Sequence, residues 1–247
     1  MSLWLHEIAE SGHRILDPFT DAQLREVGSV ARVGADTRVL DLACGKGEML
    51  CRWAQELGCA GVGVDISEVF VTAARHRAEE LDVADRIVIE QGDAATYRFA
   101  PGTFDIASCI GATWIGDGVV GTIDLLKNAV TSSGLVLIGE PFWHEAPPAD
   151  AEEAISGRPG AFTDLAGLLE RFDAAGTDLV EMVLADQHSW DRYVAAQWWN
   201  LRDWLDASRA DPLAPEVRQF LDHSRRVHLY YQRRYLGWGV FVLRPTR

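Results

Sequence analysis

The sequence predicts an α/β protein in which a parallel β-sheet is covered by helices on both faces. Short runs of apolar and β-branched residues alternate with segments of helical periodicity from residue 38 onward. Because these short runs are apolar at successive positions, they are typical of strands buried between two layers of helices. A chain of 247 residues, of which 48% are hydrophobic, is long enough and apolar enough to form one such domain.

Seven segments have the short apolar pattern of β-strands, and helical segments separate most of them. The predicted strands are residues 38–42, 61–64, 86–89, 104–108, 135–138, 179–184 and 238–243. The helical segments repeat apolar residues every three or four positions. Residues 143–162 are rich in Pro, Gly, Ala and Glu and are predicted to form a loop. Two helical segments between residues 190 and 231 are predicted to precede the last strand.

Composition restricts the class of partner. The formal net charge of −14 disfavours a nucleic-acid partner, because an acidic protein repels the phosphate backbone. The four cysteines show no C-x-x-C spacing and no histidine cluster completes a zinc site, so we expect reduced core thiols and no metal. The sequence shows neither a secretory signal nor an apolar run of about 18 residues. We therefore expect a cytoplasmic protein with no membrane partner.

A glycine-containing turn after the first predicted strand is the main candidate for a ligand site. Gly45 and Gly47 allow the backbone to turn tightly and approach a ligand closely. A dinucleotide-binding turn, G-x-G-x-x-G, would have a third glycine where this chain has Leu50. The strand ends in Asp41, whose charge suits a cationic amino-acid group better than a pyrophosphate. The turn therefore favours S-adenosylmethionine (SAM), which carries a sulfonium, an ammonium and no phosphate.

Two further carboxylates follow predicted strands. Asp65 ends the second strand about 20 residues beyond the glycine turn, where an acidic side chain can accept hydrogen bonds from ribose hydroxyls. That feature is shared by NAD and SAM sites. Asp93 follows the third strand and can accept a hydrogen bond from an adenine amino group, although it also fits a helix N-cap.

These segments, in order, resemble the motif series of class I SAM-dependent methyltransferases. The series is V-L-D-L-A-C-G-K-G (39–47), V-G-V-D (62–65), G-D-A (92–94), F-D-I-A-S-C (104–109) and L-V-L-I-G-E-P (135–141). Segments 12–19, 111–114 and 139–143 resemble one branch of uncharacterised bacterial small-molecule methyltransferases. The resemblance implies a Rossmann-like doubly wound sheet of seven strands, mostly parallel with an antiparallel last strand. It also implies methyl transfer from SAM to a small-molecule acceptor, with S-adenosylhomocysteine (SAH) as product.

The chain is expected to form a single methyltransferase domain over residues 1–247. Residues 1–37 would form N-terminal lid helices, and residues 38–141 would form the SAM-binding core. Residues 186–235 would form a helical insertion before the last strand, lying over the acceptor pocket by analogy with this fold.

The resemblance also implies a role for each matched position. Asp41 and the backbone of residues 43–47 would hold the methionine moiety, and Asp65 would take the ribose. Ile66 would pack on the adenine. The backbone near Cys109 and Ile110 would receive the amino group or line the transfer site. The implied SAM-binding residues are Asp41, Ala43, Cys44, Gly45, Gly47, Asp65, Ile66, Gly92, Asp93, Ala94, Cys109 and Ile110.

Candidates for catalysis and acceptor binding follow the later strands. A general base is needed only if the acceptor must lose a proton, and the candidates are Glu140 and His144. A supporting role for Glu140 and an ordinary loop position for His144 are the alternatives. The candidates for acceptor binding are aromatic: Trp114, Trp143, Tyr193 and Trp198. The helical spacing of the last two also fits plain packing.

Two other functions remain open at the level of sequence. An NAD(P)-dependent oxidoreductase is disfavoured by Leu50 and Asp41, and neither Lys46 nor Lys127 has a tyrosine four residues before it. A non-catalytic SAM-binding module would use the same binding residues, because binding alone does not establish turnover. The sequence leaves the oligomeric state open.

Overall fold

The computed structural model describes residues 2–157 and 160–246. Within these residues the chain forms seven strands: β1 Arg38–Leu42, β2 Ala60–Asp65, β3 Ile87–Gln91, β4 Phe104–Ile110, β5 Val130–Trp143, β6 Thr177–Leu184 and β7 Leu236–Pro245. The α-helices in the same ranges are α1 Leu3–Ala9, α2 Asp21–Val30, α3 Glu48–Leu57, α4 Glu68–Glu80, α5 Val119–Lys127, α6 Ala149–Ser156, α7 Leu165–Ala174, α8 Gln187–Ala207, α9 Ala214–Val227 and α10 Arg233–Tyr235. A 3₁₀ turn covers Thr113–Gly116, and a π-helical turn, His228–Gln232, joins α9 to α10.

The strands form one sheet in the order β3-β2-β1-β4-β5-β7-β6. Strands β1 to β5 pair in parallel, whereas β7 is antiparallel to both β5 and β6. The predicted Rossmann-like fold class is confirmed, with α8 and α9 inserted before the last strand. The carboxyl ends of β1, β2, β3 and β4 therefore meet at one edge of the sheet, where ligands bind in such folds.

Two local predictions differ from the structure. The predicted loop at 143–162 contains α6, whose first turn carries Asp150 and Glu152. Acidic residues near a helix N-terminus are favourable, and the Ala and Glu content of this segment also favours a helix. Residues 158–159 of that predicted loop lie outside the described residues. Strand β5 also extends beyond the predicted apolar run, because β7 pairs with it as far as Trp143.

The central strands of the sheet are buried on both faces, as their apolar sequences predict, whereas the edge strands β3 and β6 have exposed residues. On one face Val39 and Leu137 pack with Trp53 of α3, whose indole N–H donates to the Leu24 carbonyl oxygen at 3.1 Å. On the other face Leu40 and Ile138 pack in a cluster that includes residues of α5 and α7. Alternate residues of β1 and β5 thus pack against the helices on opposite faces of the sheet.

A third apolar cluster lies outside the sheet and joins the N-terminal helix to the inserted helices. Leu5 and Ala9 of α1 pack with Leu201 and Leu205 of α8 and with two residues of α9, Val217 and Leu221. The segment that follows α1 is consequently held near the carboxyl edge of the sheet by helices from the other end of the chain.

Substituting Leu201 with alanine should destabilise this cluster. Leu201 is fully buried, so Leu201→Ala removes apolar contacts and leaves a cavity, and the free energy of unfolding should fall by about 2–5 kcal/mol. Urea denaturation measures the change. The matched control is Leu229→Ala, at a leucine that is 60% exposed, which should change the free energy by less than about 0.5 kcal/mol. Equal losses in the two variants would contradict this assignment of the core.

Candidate functional site

A cavity of 610 Å³ lies at the carboxyl edge of the sheet. The loops after β1, β2, β3 and β4 form its floor, and the N-terminal segment (residues 3–17) and α8 contribute its roof. Every predicted motif between residues 41 and 110 is therefore brought to one place, although up to 70 residues separate the motifs along the chain.

The glycine turn adopts backbone conformations that require small residues. Gly45 and Gly47 have φ angles of 55° and 67°, in the left-handed region that favours glycine. A Cβ atom on Gly45 would lie 2.7 Å from Cδ1 of Leu16, in the N-terminal segment. Gly47 approaches Ala74 of α4 instead. The two glycines therefore serve the turn and its contacts with neighbouring segments, in addition to any approach by a ligand.

Asp65 connects two of the loops that form the cavity floor. One carboxylate oxygen accepts a hydrogen bond from the backbone N–H of Gly45 at 2.8 Å, and the other accepts from the N–H of Ser67 at 2.9 Å. Burial raises the pKa of the Asp65 carboxyl, while these two N–H donors lower it. The side chain therefore holds the glycine turn against the end of β2 and still faces the cavity.

Two further carboxylates in the cavity have strongly perturbed pKa values. Asp41, at the end of β1, is 4% exposed and accepts a 2.7 Å hydrogen bond from the Ser108 hydroxyl. Burial raises its pKa to about 7. Asp17, in the N-terminal segment, accepts a hydrogen bond from the Phe19 N–H, and burial raises its pKa to about 7 as well. Desolvation disfavours a charge that no opposite charge balances.

The N-terminal segment is fastened to the glycine turn by Lys46. Its ammonium group donates to the carbonyl oxygens of Glu10, Ser11 and His13 at 2.8, 3.0 and 2.7 Å. A lysine beside a ligand-binding turn could contact an anion, but here its three donors are engaged by the backbone of another segment. The turn and the roof of the cavity are therefore one connected unit.

Tyr193 of α8 also holds the N-terminal segment in place by hydrogen bonds. Its hydroxyl donates to Glu10 at 2.6 Å, and the Leu16 carbonyl oxygen lies 3.2 Å away. Glu10 is fully buried and also accepts from the Gln197 amide at 2.6 Å. Burial, with the charge of Glu10 adding to it, raises the pKa of Tyr193 well above its usual value, so the phenol stays protonated.

The structure brings most of the residues implied for SAM binding to the cavity. Those in its lining are Asp41, Ala43, Cys44, Gly45, Asp65, Ile66, Asp93, Ala94 and Ile110. Three others lie outside it: Gly47, Gly92 and Cys109. Cys109 is fully buried in the core, and burial raises the pKa of its thiol well above the usual range.

The catalytic candidates lie outside the lining of the cavity. Glu140 is buried and accepts a 2.7 Å hydrogen bond from the Thr113 hydroxyl, and burial raises its pKa to about 7. His144 is exposed, with its ring edge against Phe142. This placement agrees with the supporting role considered for Glu140 and the ordinary loop position considered for His144.

Two of the four aromatic candidates line the cavity. These are Trp114, which is 75% exposed, and Tyr193. Trp143 is buried against Phe162, and the Trp198 indole donates to the Ser224 hydroxyl at 3.0 Å, so both pack away from the cavity. Plain packing therefore accounts for Trp198, as its helical spacing allowed.

The sequence predicts lid helices over residues 1–37 but indicates no site residue among them. His6, Arg14, Leu16 and Asp17 all line the cavity. The Asp-Pro pair at 17–18 belongs to segment 12–19, one of the segments that resemble bacterial methyltransferases. No periodicity or spacing in the sequence connects it with Asp41. Tertiary contacts bring it there, including the packing of α1 on α8 and α9 and the hydrogen bonds from Lys46.

The fold and the cavity together define a class of protein. The sheet order, the acidic end of β1, the glycine turn and the carboxylate at the end of β2 are arranged to hold a nucleoside that carries a cationic amino-acid tail. Three carboxylates, Asp17, Asp41 and Asp65, surround this space, and no Lys or Arg of the described residues forms an ion pair with them. SAM suits these three carboxylates, because its sulfonium and its ammonium group are positively charged.

Comparison with known proteins also indicates a protein that binds SAM. Residues 39–133 match the family described as a methyltransferase domain. The chain is 44% identical over 238 residues, 96% of both chains, to the uncharacterized protein YjhP of Escherichia coli K12. Crystal structures of SAM-dependent methyltransferases from Geobacter sulfurreducens and Thiobacillus denitrificans, both in complex with SAH, are 46% and 45% identical to it. They cover 99% and 98% of this chain, with 98% of each of their chains aligned and TM-scores of 0.95 and 0.93.

The chain therefore belongs to the SAM-dependent methyltransferases, and SAM is its cofactor. These comparisons give no support to the NAD(P)-dependent alternative. Among the helices of the described residues, none combines the length and the apolar character needed to cross a membrane.

Replacing Lys46 with methionine should release the N-terminal segment. Lys46→Met keeps a long side chain but removes three hydrogen bonds to the backbone of residues 10–13. Hydrogen–deuterium exchange of residues 3–17 should then become faster, by about tenfold for a loss of about 1.4 kcal/mol. The control is Lys127→Met, at the other lysine, which contacts Ala175 and should leave exchange at 3–17 unchanged. Unaltered exchange in Lys46→Met would show that the lysine does not hold this segment.

Proposed function

We propose that this protein transfers the methyl group of SAM to a small-molecule acceptor bound at the Trp114 and Tyr193 end of the cavity, with SAH as product. The cavity volume is the observation that carries this proposal. At 610 Å³ it lies within the range of about 300–1,000 Å³ that is typical of small-molecule sites. The roof formed by the N-terminal segment favours an acceptor small enough to be enclosed.

The proposed SAM-binding residues are those of the cavity floor. Asp41 and the backbone of residues 43–45 would hold the methionine moiety, and Asp65 would accept hydrogen bonds from the ribose. Ile66, whose side chain is 57% exposed at the cavity, would pack on the adenine. Asp93 and Ala94 would meet the adenine edge. When bound, SAM supplies a methyl group that is already activated by its positively charged sulfur.

The proposed acceptor wall consists of Ile110, Trp114, Ile115 and Tyr193. Aromatic and aliphatic side chains dominate this wall, which suits an apolar, aromatic or cationic acceptor. A nucleic-acid acceptor is disfavoured by the net charge of −14. The exposed indole of Trp114 lies where an acceptor could enter.

We assign the catalytic contribution of the chain mainly to positioning and to the exclusion of water. A correctly oriented acceptor needs little further assistance, because the donor is already activated. Glu140 and His144 lie outside the cavity lining, so neither is placed to take a proton from a bound acceptor. Lys46 and Tyr193 hold the N-terminal segment over the cavity, and this closed roof would exclude water from the transfer site.

The acceptor proposal can be tested with methyl-labelled SAM. The purified protein is incubated with labelled SAM and with a metabolite extract, total RNA, DNA or total protein from a bacterial lysate. Label should enter low-molecular-mass products only in the metabolite extract. Label confined to a macromolecular fraction would contradict the proposal, and so would the absence of transfer in all four.

The proposed ribose contact predicts a specific loss of affinity. Asp65→Ala removes a charged acceptor of ribose hydroxyls and also releases the Gly45 N–H. The affinity for SAH should therefore fall by about 1.5–3 kcal/mol, or roughly ten- to 150-fold. Isothermal titration calorimetry measures the change. Asp36→Ala, at an exposed aspartate, is the control and should bind SAH normally. Unchanged affinity in Asp65→Ala would refute the ribose assignment.

A further inference from the structure

Asp17 and Asp41 are two carboxylates of one cavity without a basic partner in the described residues. Asp17 comes from the N-terminal segment and Asp41 from the end of β1, and both line the cavity. The charge of Asp17 contributes to the raised pKa of Asp41, so the two groups lie within electrostatic reach of each other. Repulsion between like charges in a poorly solvated site is unfavourable unless a cation enters it.

Three basic side chains line the cavity with this pair, and none forms an ion pair with it. His6 of α1 acts electrostatically on Asp65. Lys46 donates to three backbone carbonyl oxygens, and Arg14 forms a 3.1 Å ion pair with Glu80. The other groups that act on Asp17 and Asp41 are Glu10, Asp65, Ser108 and the Phe19 N–H, none of which carries positive charge. A cationic ligand can therefore supply the positive charge that suits Asp17 and Asp41.

Methyl transfer changes the charge of the ligand at one atom. The bond between the methyl carbon and sulfur breaks with its electron pair left on sulfur, and a lone pair of the acceptor forms the new bond to carbon. The sulfur thereby changes from a cation to a neutral thioether, while the ammonium group is the same in SAM and SAH. A carboxylate near the sulfur therefore distinguishes donor from product, whereas one near the ammonium does not.

The interactions of Asp17 place it between the two ends of the cavity. On one side it acts electrostatically on Asp41, which we assign to the methionine moiety. On the other side it acts on Tyr193, which belongs to the proposed acceptor wall. The transferred methyl group must lie between the donor sulfur and the acceptor. Asp17 lines the cavity with Asp41 and directly follows Leu16, whose carbonyl oxygen lies 3.2 Å from the Tyr193 hydroxyl. Asp17 is therefore the carboxylate that we assign to this middle region.

We propose that Asp17 is a specificity-determining residue that makes the cavity prefer the positively charged methyl donor over its neutral-sulfur product. This inference rests on the proposed acceptor end of the site. Its consequence is functional: once the methyl group has left, Asp17 loses its counter-charge and weakens the hold on SAH. The residue would thus favour exchange of product for fresh donor.

The test is the ratio of two dissociation constants, that for SAH divided by that for SAM. Both are measured by isothermal titration calorimetry at pH 8 on the full-length protein and on Asp17→Asn. The ratio should fall about tenfold in the variant, mostly through weaker SAM binding. The control is Asp93→Asn, at a carboxylate assigned to the uncharged adenine, which should weaken both ligands alike and leave the ratio within twofold. A ratio in Asp17→Asn within twofold of wild type would overturn the proposal, whether both affinities fall or neither does.

Two further measurements keep the proposal testable if Asp17→Asn fails to fold. Asp17→Glu retains the charge and should keep the ratio within threefold of the wild-type value. In the wild-type protein the ratio should decrease from pH 8 to pH 6, because protonation of Asp17 removes the charge that prefers the cationic sulfur. A wild-type ratio independent of pH would contradict the role of Asp17. Because no acceptor is present in these assays, their outcome is separate from that of the labelling experiment.

Discussion

The site depends on one constraint, which is that several carboxylates are held at the same buried edge of a parallel sheet. Asp41 and Asp65 are there because each ends a strand, and parallel strands bring their carboxyl ends together. Asp17 is added from the N-terminal segment. A carboxyl whose pKa is raised to about 7 makes the folded state lose stability as the pH rises from about 4 to 7. We propose that a cationic ligand reverses this loss, so that the residues that weaken the ligand-free fold contribute to its affinity for SAM.

The roof of the cavity is built by contacts between distant parts of the chain. Apolar packing of α1 on α8 and α9 brings the N-terminal segment over the sheet edge. Polar contacts then fix its position: Lys46 binds its carbonyl oxygens, and Tyr193 donates to the buried Glu10. Helix α8 therefore meets the cavity through this segment as well as through Tyr193, and α9 supports the segment by packing on α1.

Much of the fold and of the cavity floor could be predicted from the sequence, because both follow from local patterns. The strands are short apolar runs, and Asp41 and Asp65 follow two of them directly. Lid helices are expected over residues 1–37, but the contacts of the roof could not be predicted, because Asp17 approaches Asp41 only through tertiary packing. The aromatic residues show the same limit: Trp114 and Trp143 both follow strands, yet only Trp114 lines the cavity, since antiparallel pairing with β7 carries Trp143 into the core.

Proton release on SAM binding tests the central claim most directly. Burial raises the pKa of Asp17 and of Asp41 to about 7, so the pair should retain protons near neutral pH, and a cation beside them should drive these protons off. Calorimetry in buffers of different ionisation enthalpy counts these protons. The account predicts a release of up to about one proton per SAM bound, with a smaller release for SAH. No net proton release with SAM, or uptake of protons, would contradict it.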